Sequence, residues 1–269
     1  MRWHIHAVIK GNSAVSDTSA PQTGSVPPGP PSAPPLFYKQ PEPLFPGAHK
    51  DFKIRPENDF TFAAKTNSLP TTVPEFAFVA RHYPIVFLGP ELIPTAVVGV
   101  TAETNLFVNN KGEWDNEAYI PAFVRRYPFI FLGIPNDDKL HLGVDGAGRS
   151  DKPNARGLFD GETETDTLKA GLDFCQQFHG AFQATREFSK ALLESGIVED
   201  SGVEIQSPTG DKQQLGPFGT VTEEKFKNLP DATIVDWHKR GFLHMVHFHL
   251  QSLTNWQNLL QRSERKLAA

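Results

Sequence analysis

Two decapeptides 44 residues apart, ARHYPIVFLG at 80–89 and VRRYPFIFLG at 124–133, share an arginine, a Tyr-Pro pair, an apolar run and Phe-Leu-Gly. Each proline lacks an amide proton and drives the tyrosine before it out of the α region, so a helix reaching Tyr83 or Tyr127 ends there. The apolar runs that follow, Ile85–Leu88 and Phe129–Leu132, read as buried strands. Upstream, Thr72 and Glu75 have capping-box spacing, Asp115 is placed to cap the second copy's helix, and Pro121 is compatible only with a first turn. Second strands are expected at Thr95–Val100 and Lys139–Asp145; the first copy adds Asn105–Val108 and a turn at Asn109–Gly112. Two helix–strand–strand repeats most simply share one sheet with helices on it, an α+β class, and two copies are too few for a solenoid.

Beyond this pair the pattern becomes helical. Residues 167–195 predict a long helix stopped by Gly196, with Leu168, Leu172, Cys175, His179 and Phe182 on one stripe. Val203–Gln206, a turn at Ser207–Asp211 and Phe218–Val221 predict a β-hairpin. Short helices follow near 222–228 and 231–239, then one long helix from Phe242 to Ser263. The chain thus divides into a repeat-containing sheet half, 37–150, and a helix-rich half with a hairpin, 151–269, of one domain.

Residues 1–36 differ from the body. Ten of the 23 prolines lie in residues 1–46, and no charge occurs between Asp17 and Lys39. A Pro/Ser/Gly-rich segment of this kind buries too little apolar surface to offset ordering, so a disordered extension is expected, with Pro27, Pro28, Pro30 and Pro31 offering PxxP spacing. A net charge of −5 provides no basic field for nucleic acid. The single cysteine, Cys175, forms no intramolecular disulfide, and a reducing compartment is permitted. No segment has the roughly 20 apolar residues of a membrane span, and the island around Ala7–Ile9 is too short for a secretory signal. A cytoplasmic protein without an integral membrane segment is the expectation.

Candidate chemistry is thin. His244, His247 and His249 form the densest set of metal-type ligands. At about 100° per residue, His244 and His247 share a face with Gln251 and Thr254, whereas His249 falls among Phe242, Val246 and Trp256. The first two are therefore weak metal candidates needing a ligand from elsewhere, and no cofactor is expected. His249 on an apolar face needs a buried partner and is a core residue or a catalytic candidate. Cys175 and His179 stand four apart, the spacing of a thiol–imidazole dyad, but on an apolar stripe. Gly143, Gly146 and Gly148 fit no phosphate-loop motif and read as a turn. Glu162, Glu164 and Asp166 suit a helix N-terminus. Arg81 and Arg125, matched in the repeat, read as structural. Tyr83, Tyr127 and Trp256 are ligand-binding candidates, with both tyrosine rings expected to be buried.

FYKQPEPL (37–44) followed by His49, FAAKTNSLP (62–70), the two Tyr-Pro motifs, LFDGETETDTL (158–168) and the stretch from EEKFKNLPD to RGFLHMVHFHLQSLTNW (223–256) together resemble the bacterial SapC-like family over about 36–261. Gly241, Leu243, His249, Leu250, Ser252, Leu253 and Trp256 fit its last motif; His244 and His247 do not. The resemblance implies a link to bacterial surface layers and to companions of outer-membrane nutrient uptake, and brings no catalytic residue. Three functions follow as expectations: a non-enzymatic accessory or regulatory protein binding a protein partner or small ligand; an enzyme using His249 or a single metal at the terminal helix; or a surface-layer component. The composition, with 21 Phe against 4 Tyr and no repeated Ca²⁺-binding motif, fits a compact domain better than a lattice subunit.

Overall fold

The computed structural model describes residues 4–9, 34–134, 137–206 and 212–268. Its main strands are β1 (His4–Ile9), β2 (Pro41–Pro43), β3 (Ser68–Pro70), β4 (Ile85–Leu88), β5 (Ile93–Val97), β6 (Phe129–Ile134), β7 (Asp137–Asp145), β8 (Val198–Gln206) and β9 (Lys212–Val221). The helices that matter below are α1 (Phe76–Val79), α2 (Ala122–Arg126), α3 (Asp166–Ser195), α4 (Glu223–Lys227), α5 (Asp231–Arg240), α6 (Phe242–Ser252) and α7 (Asn255–Ala268). The class is α+β.

Both Tyr-Pro corners lie between a helix and a strand: α2 stops at Arg126, directly before Tyr127, and β6 begins at Phe129, whereas α1 already stops at Val79, four residues before Tyr83, and β4 begins at Ile85. The repeats do not, however, share a sheet. β4 and β5 lie in a six-stranded sheet ordered β1-β8-β9-β4-β5-β3, and β6 and β7 in a three-stranded sheet ordered β2-β7-β6. Each hairpin completes itself with its own neighbours: β9 and β3 flank β4 and β5, and β2 covers β7. The large sheet therefore draws strands from both 37–150 and 151–269.

The long helix α3 joins the two sheets. Thr165 caps its first turn through Leu168 N–H, and Gly196, at φ 65°, ends it in the left-handed region that glycine reaches without a Cβ penalty. Leu168 and Cys175 in its first half enter the core around Phe129 and Val144; Phe188, Ala191 and Leu192 in its second half enter the core around Phe76 and Phe87. Each such large apolar side chain contributes about 1.5–3 kcal/mol on burial, so one helix ties both cores together. Its buried line also passes through Gly171, Phe178 and Thr185. Of the predicted stripe, Leu172 and Phe182 are only half-buried and His179 is exposed. Gly171 on the buried line admits the Phe129 ring, which would stand 2.5 Å from an added Cβ.

Three further expectations change. His4–Ile9, assigned by composition to the extension, is an edge strand antiparallel to β8, consistent with its apolar run from Ala7 to Ile9. Residues 10–33, with the PxxP prolines, lie outside the described residues, as does the turn at 207–211. Asp115 caps no helix: it accepts the Glu117 amide at 3.0 Å and pairs with Arg262 at 2.6 Å. The terminal helix is two helices, α6 and α7, broken where Thr254 N–H and its hydroxyl both turn back to Gln251 O.

Gly99 sits in the turn after β5, where Val98 N–H and Gly99 N–H both bond Asn67 O. A Cβ there would lie 1.8 Å from Thr104 O, a backbone atom that no rotamer change relieves. Gly99→Ala is expected to cost more than about 3 kcal/mol, read as a fall in the urea midpoint.

Candidate functional site

A short ladder pairs Lys53–Ile54 with Arg156–Gly157, so that Ile54 faces Arg156 and Arg55 lies beside it. Across from them, α2 ends in Arg125-Arg126 and the first two turns of α3 present Thr167, Ala170 and Gly171. These elements enclose a half-open cleft of about 900 Å³. Arg55, Arg125, Arg126 and Arg156 line it, with Glu57 as the only carboxylate among its lining residues. Ile54, Phe60, Ile120, Phe129 and Phe174 supply an apolar wall.

Three of the guanidinium groups rest on aromatic rings. Arg55 lies 4.9 Å from the Phe62 centroid and 5.0 Å from Phe60. Arg126 lies 4.3 Å from Phe178 and 5.1 Å from Phe123, and Arg125 5.0 Å from Phe174. Rings on the faces of a guanidinium leave its in-plane N–H edges as the directions for hydrogen bonding. Arg55 is 8 % exposed. Its Nη1 donates to the carbonyls of Pro56, Glu57 and Asp59, and its Nη2 to Tyr127 O at 3.2 Å. The Nε atoms of Arg55 and Arg126 are buried without an acceptor. Burial and the neighbouring Arg156 lower the Arg55 pKa to about 10. Arg125 reaches Glu75 only at 4.0 Å, and Arg156 reaches Glu57 at 3.9 Å. The cleft is thus rich in cationic donors and poor in counter-charge.

The sequence candidates are not brought together. Tyr127 borders the cleft, but its hydroxyl donates to the buried Asp145 at 2.9 Å, and burial followed by that carboxylate raises its pKa. Asp145 also accepts the Lys39 and Gln40 amides. Tyr83 is fully buried elsewhere, donating to Tyr119 O and accepting from Trp114 Nε1 at 3.2 Å. Trp256, 7 % exposed, stacks on Phe218 at 5.7 Å and borders a second cleft of about 610 Å³ with Leu250 and Leu253. Cys175 is buried, which pushes its thiol up to about 11, and the exposed His179 instead meets Phe131 edge-on at 6.2 Å.

His249 is fully buried. Its Nε2 accepts Val221 N–H at 3.0 Å, which makes Nδ1 the protonated nitrogen donating to Ile85 O at 2.9 Å. β9 and β4 pair only at Gly219 and Phe87, and the next rung of that antiparallel register is Val221 opposite Ile85. The imidazole occupies that rung. Ser252 Oγ accepts Ile85 N–H at 2.8 Å and donates to His249 O at 2.6 Å. His244 and His247 are exposed, His247 lying edge-on to Phe226. Among the described residues no group of three or more His, Cys, Asp or Glu side chains is placed to hold a metal.

Residue-by-residue reading missed Arg55, Arg126 and Arg156 as a set. One signal was present: the second repeat carries Arg125-Arg126 where the first has Arg81-His82. The element pairing that adds Arg55 and Arg156 left no mark in the sequence.

The SapC family model matches residues 44–259. No curated protein and no solved structure matches the chain. No helix among the described residues is long and apolar enough to cross a membrane.

Proposed function

The chain belongs to the SapC family, and we propose that it is a cytoplasmic, non-catalytic accessory protein of surface or nutrient-uptake systems that binds a small anionic ligand in the arginine-lined cleft. The observation that carries this reading is the charge imbalance: four guanidinium groups line the cleft against one lining carboxylate, Glu57, with Glu75 reached from outside the lining by Arg125 at 4.0 Å. Removing cationic side chains from water without a counter-charge is costly, and an oxyanion with bidentate geometry relieves that cost. Binding without turnover is favoured because the other polar lining groups are Asn58, Asn154 and Thr167, while the Tyr127 hydroxyl is committed to Asp145. The histidine and cysteine candidates lie outside this lining.

The test is a thermal melt in rising pyrophosphate, compared with sodium chloride of equal ionic strength. A rise of about 3–5 °C at ten times Kd is expected, growing further with the logarithm of concentration. The double variant Arg125→Gln, Arg156→Gln should abolish it. A rise matched by sodium chloride, or undiminished in the double variant, sinks the proposal.

A further inference from the structure

We infer that the ligand of this cleft is an oxyanion carried on an aromatic ring, carboxylate or phosphate ester, rather than a bare ion. This rests on the cleft being the ligand site, and it adds the body of the ligand to its head. A volume of about 900 Å³ lies within the range of roughly 300–1,000 Å³ that holds an organic molecule, well beyond the needs of a lone anion.

The two chemistries of the wall are segregated by residue type. The head is specified by Arg156 and Arg125, which line the cleft with side chains 34 % and 40 % exposed and reach a carboxylate only at 3.9 and 4.0 Å. A guanidinium edge with two N–H groups meets the paired oxygens of a carboxylate or phosphate. The body is specified by flat surfaces. Phe129 lines the cleft and is fixed there against Gly171, where an added Cβ would meet three of its ring atoms at 2.5–2.8 Å. Phe174 stands under the Arg125 guanidinium at 5.0 Å. Aromatic and guanidinium faces reward a planar partner through stacking beyond the gain of area burial, which a flexible alkyl chain does not collect.

Ligand-observed NMR titrations of the full chain compare acetate with benzoate, inorganic phosphate with phenyl phosphate, and add hexanoate and neutral benzamide. Each ring-bearing anion should bind at least ten-fold more tightly than its bare counterpart. Phe174→Leu should reduce that advantage below three-fold while bare-anion affinity holds, and the better of benzoate and phenyl phosphate identifies the head group. Equal binding of bare and ring-bearing anions overturns this inference and leaves the anion-binding proposal standing. Hexanoate matching benzoate, or benzamide matching it, overturns the ring or the charge respectively. If no anion binds, both proposals fall. Should Phe174→Leu not fold, Ile120→Ala, on the same wall, is read in its place.

Discussion

Replacing His249 by phenylalanine is expected to lower stability at pH 7.5 by about 2–4 kcal/mol, although the ring volume is nearly kept. The loss comes from two backbone groups, Val221 N–H and Ile85 C=O, left without partners in a sealed interior, each worth on the order of 1–3 kcal/mol. Apart from the Gly219–Phe87 pair, nothing else in the ladder holds β9 against β4. The same residue sets an acid limit. Burial lowers the folded-state pKa of His249 from 6.5 to about 4. In the unfolded chain it protonates near 6.5, so between those values the unfolded state binds the extra proton. Its contribution is present above pH 6.5, falls as pH drops toward 4, and is spent below it. The loss across that window is on the order of 3 kcal/mol. Carboxylates titrate in the same range in both proteins, so the measured quantity is the difference in urea midpoint between wild type and variant at pH 7.5 and pH 4.5. The gap should narrow at the lower pH. A constant gap contradicts a neutral buried histidine, and no gap at either pH contradicts the imidazole's place as the rung between Val221 and Ile85.

His249 also marks where sequence reasoning stops. A histidine on an apolar helical face had to have buried partners, and it has them; which partners depended on β9 meeting β4 at one residue pair, a long-range register with no local trace. Ser252, three residues on, bonds the amide of the same Ile85, so two side chains of α6 share one structural task. The Tyr-Pro corners were legible because proline acts on the residue beside it, and the strands they launch were placed nearly to the residue. The sheet they join was not legible, because each hairpin has a free edge on either side and the choice lies with β9, β3 and β2. The cleft was least visible: arginine on a surface is unremarkable, and only folding put four of them around one space. The break between α6 and α7 arose from Thr254 competing for backbone acceptors, an effect that periodicity over an apolar stripe does not register.

Glu75 supplies the second large effect, and the expected outcome is that glutamine serves no better than a nonpolar replacement there. The carboxylate is 5 % exposed. Its Oε2 accepts from Thr72 N–H at 3.1 Å and the Thr72 hydroxyl at 2.8 Å, the capping box the sequence announces. Its Oε1 accepts from the Tyr119 hydroxyl at 3.0 Å and from Ala122 N–H, the first amide of α2. One side chain therefore caps the entry to α1 and, 47 residues on, the start of the second repeat's helix. Both oxygens are acceptors, so an amide in either orientation points an NH₂ at a backbone N–H, that of Ala122 or that of Thr72, which cannot accept from it. Glu75→Gln and Glu75→Ala should each cost about 3 kcal/mol or more, against the typical 1 kcal/mol for loss of a local helix cap. Tyr119→Phe removes one donor and leaves the other contacts, and should cost about 1 kcal/mol. Urea unfolding of the three variants separates the cases. If Glu75→Gln lies within 1 kcal/mol of wild type, the carboxylate is no more than a local cap and the coupling of the two repeats through it is refuted. If the double variant Glu75→Gln, Tyr119→Phe is less destabilised than the sum of the singles, the two side chains are coupled as their contact requires.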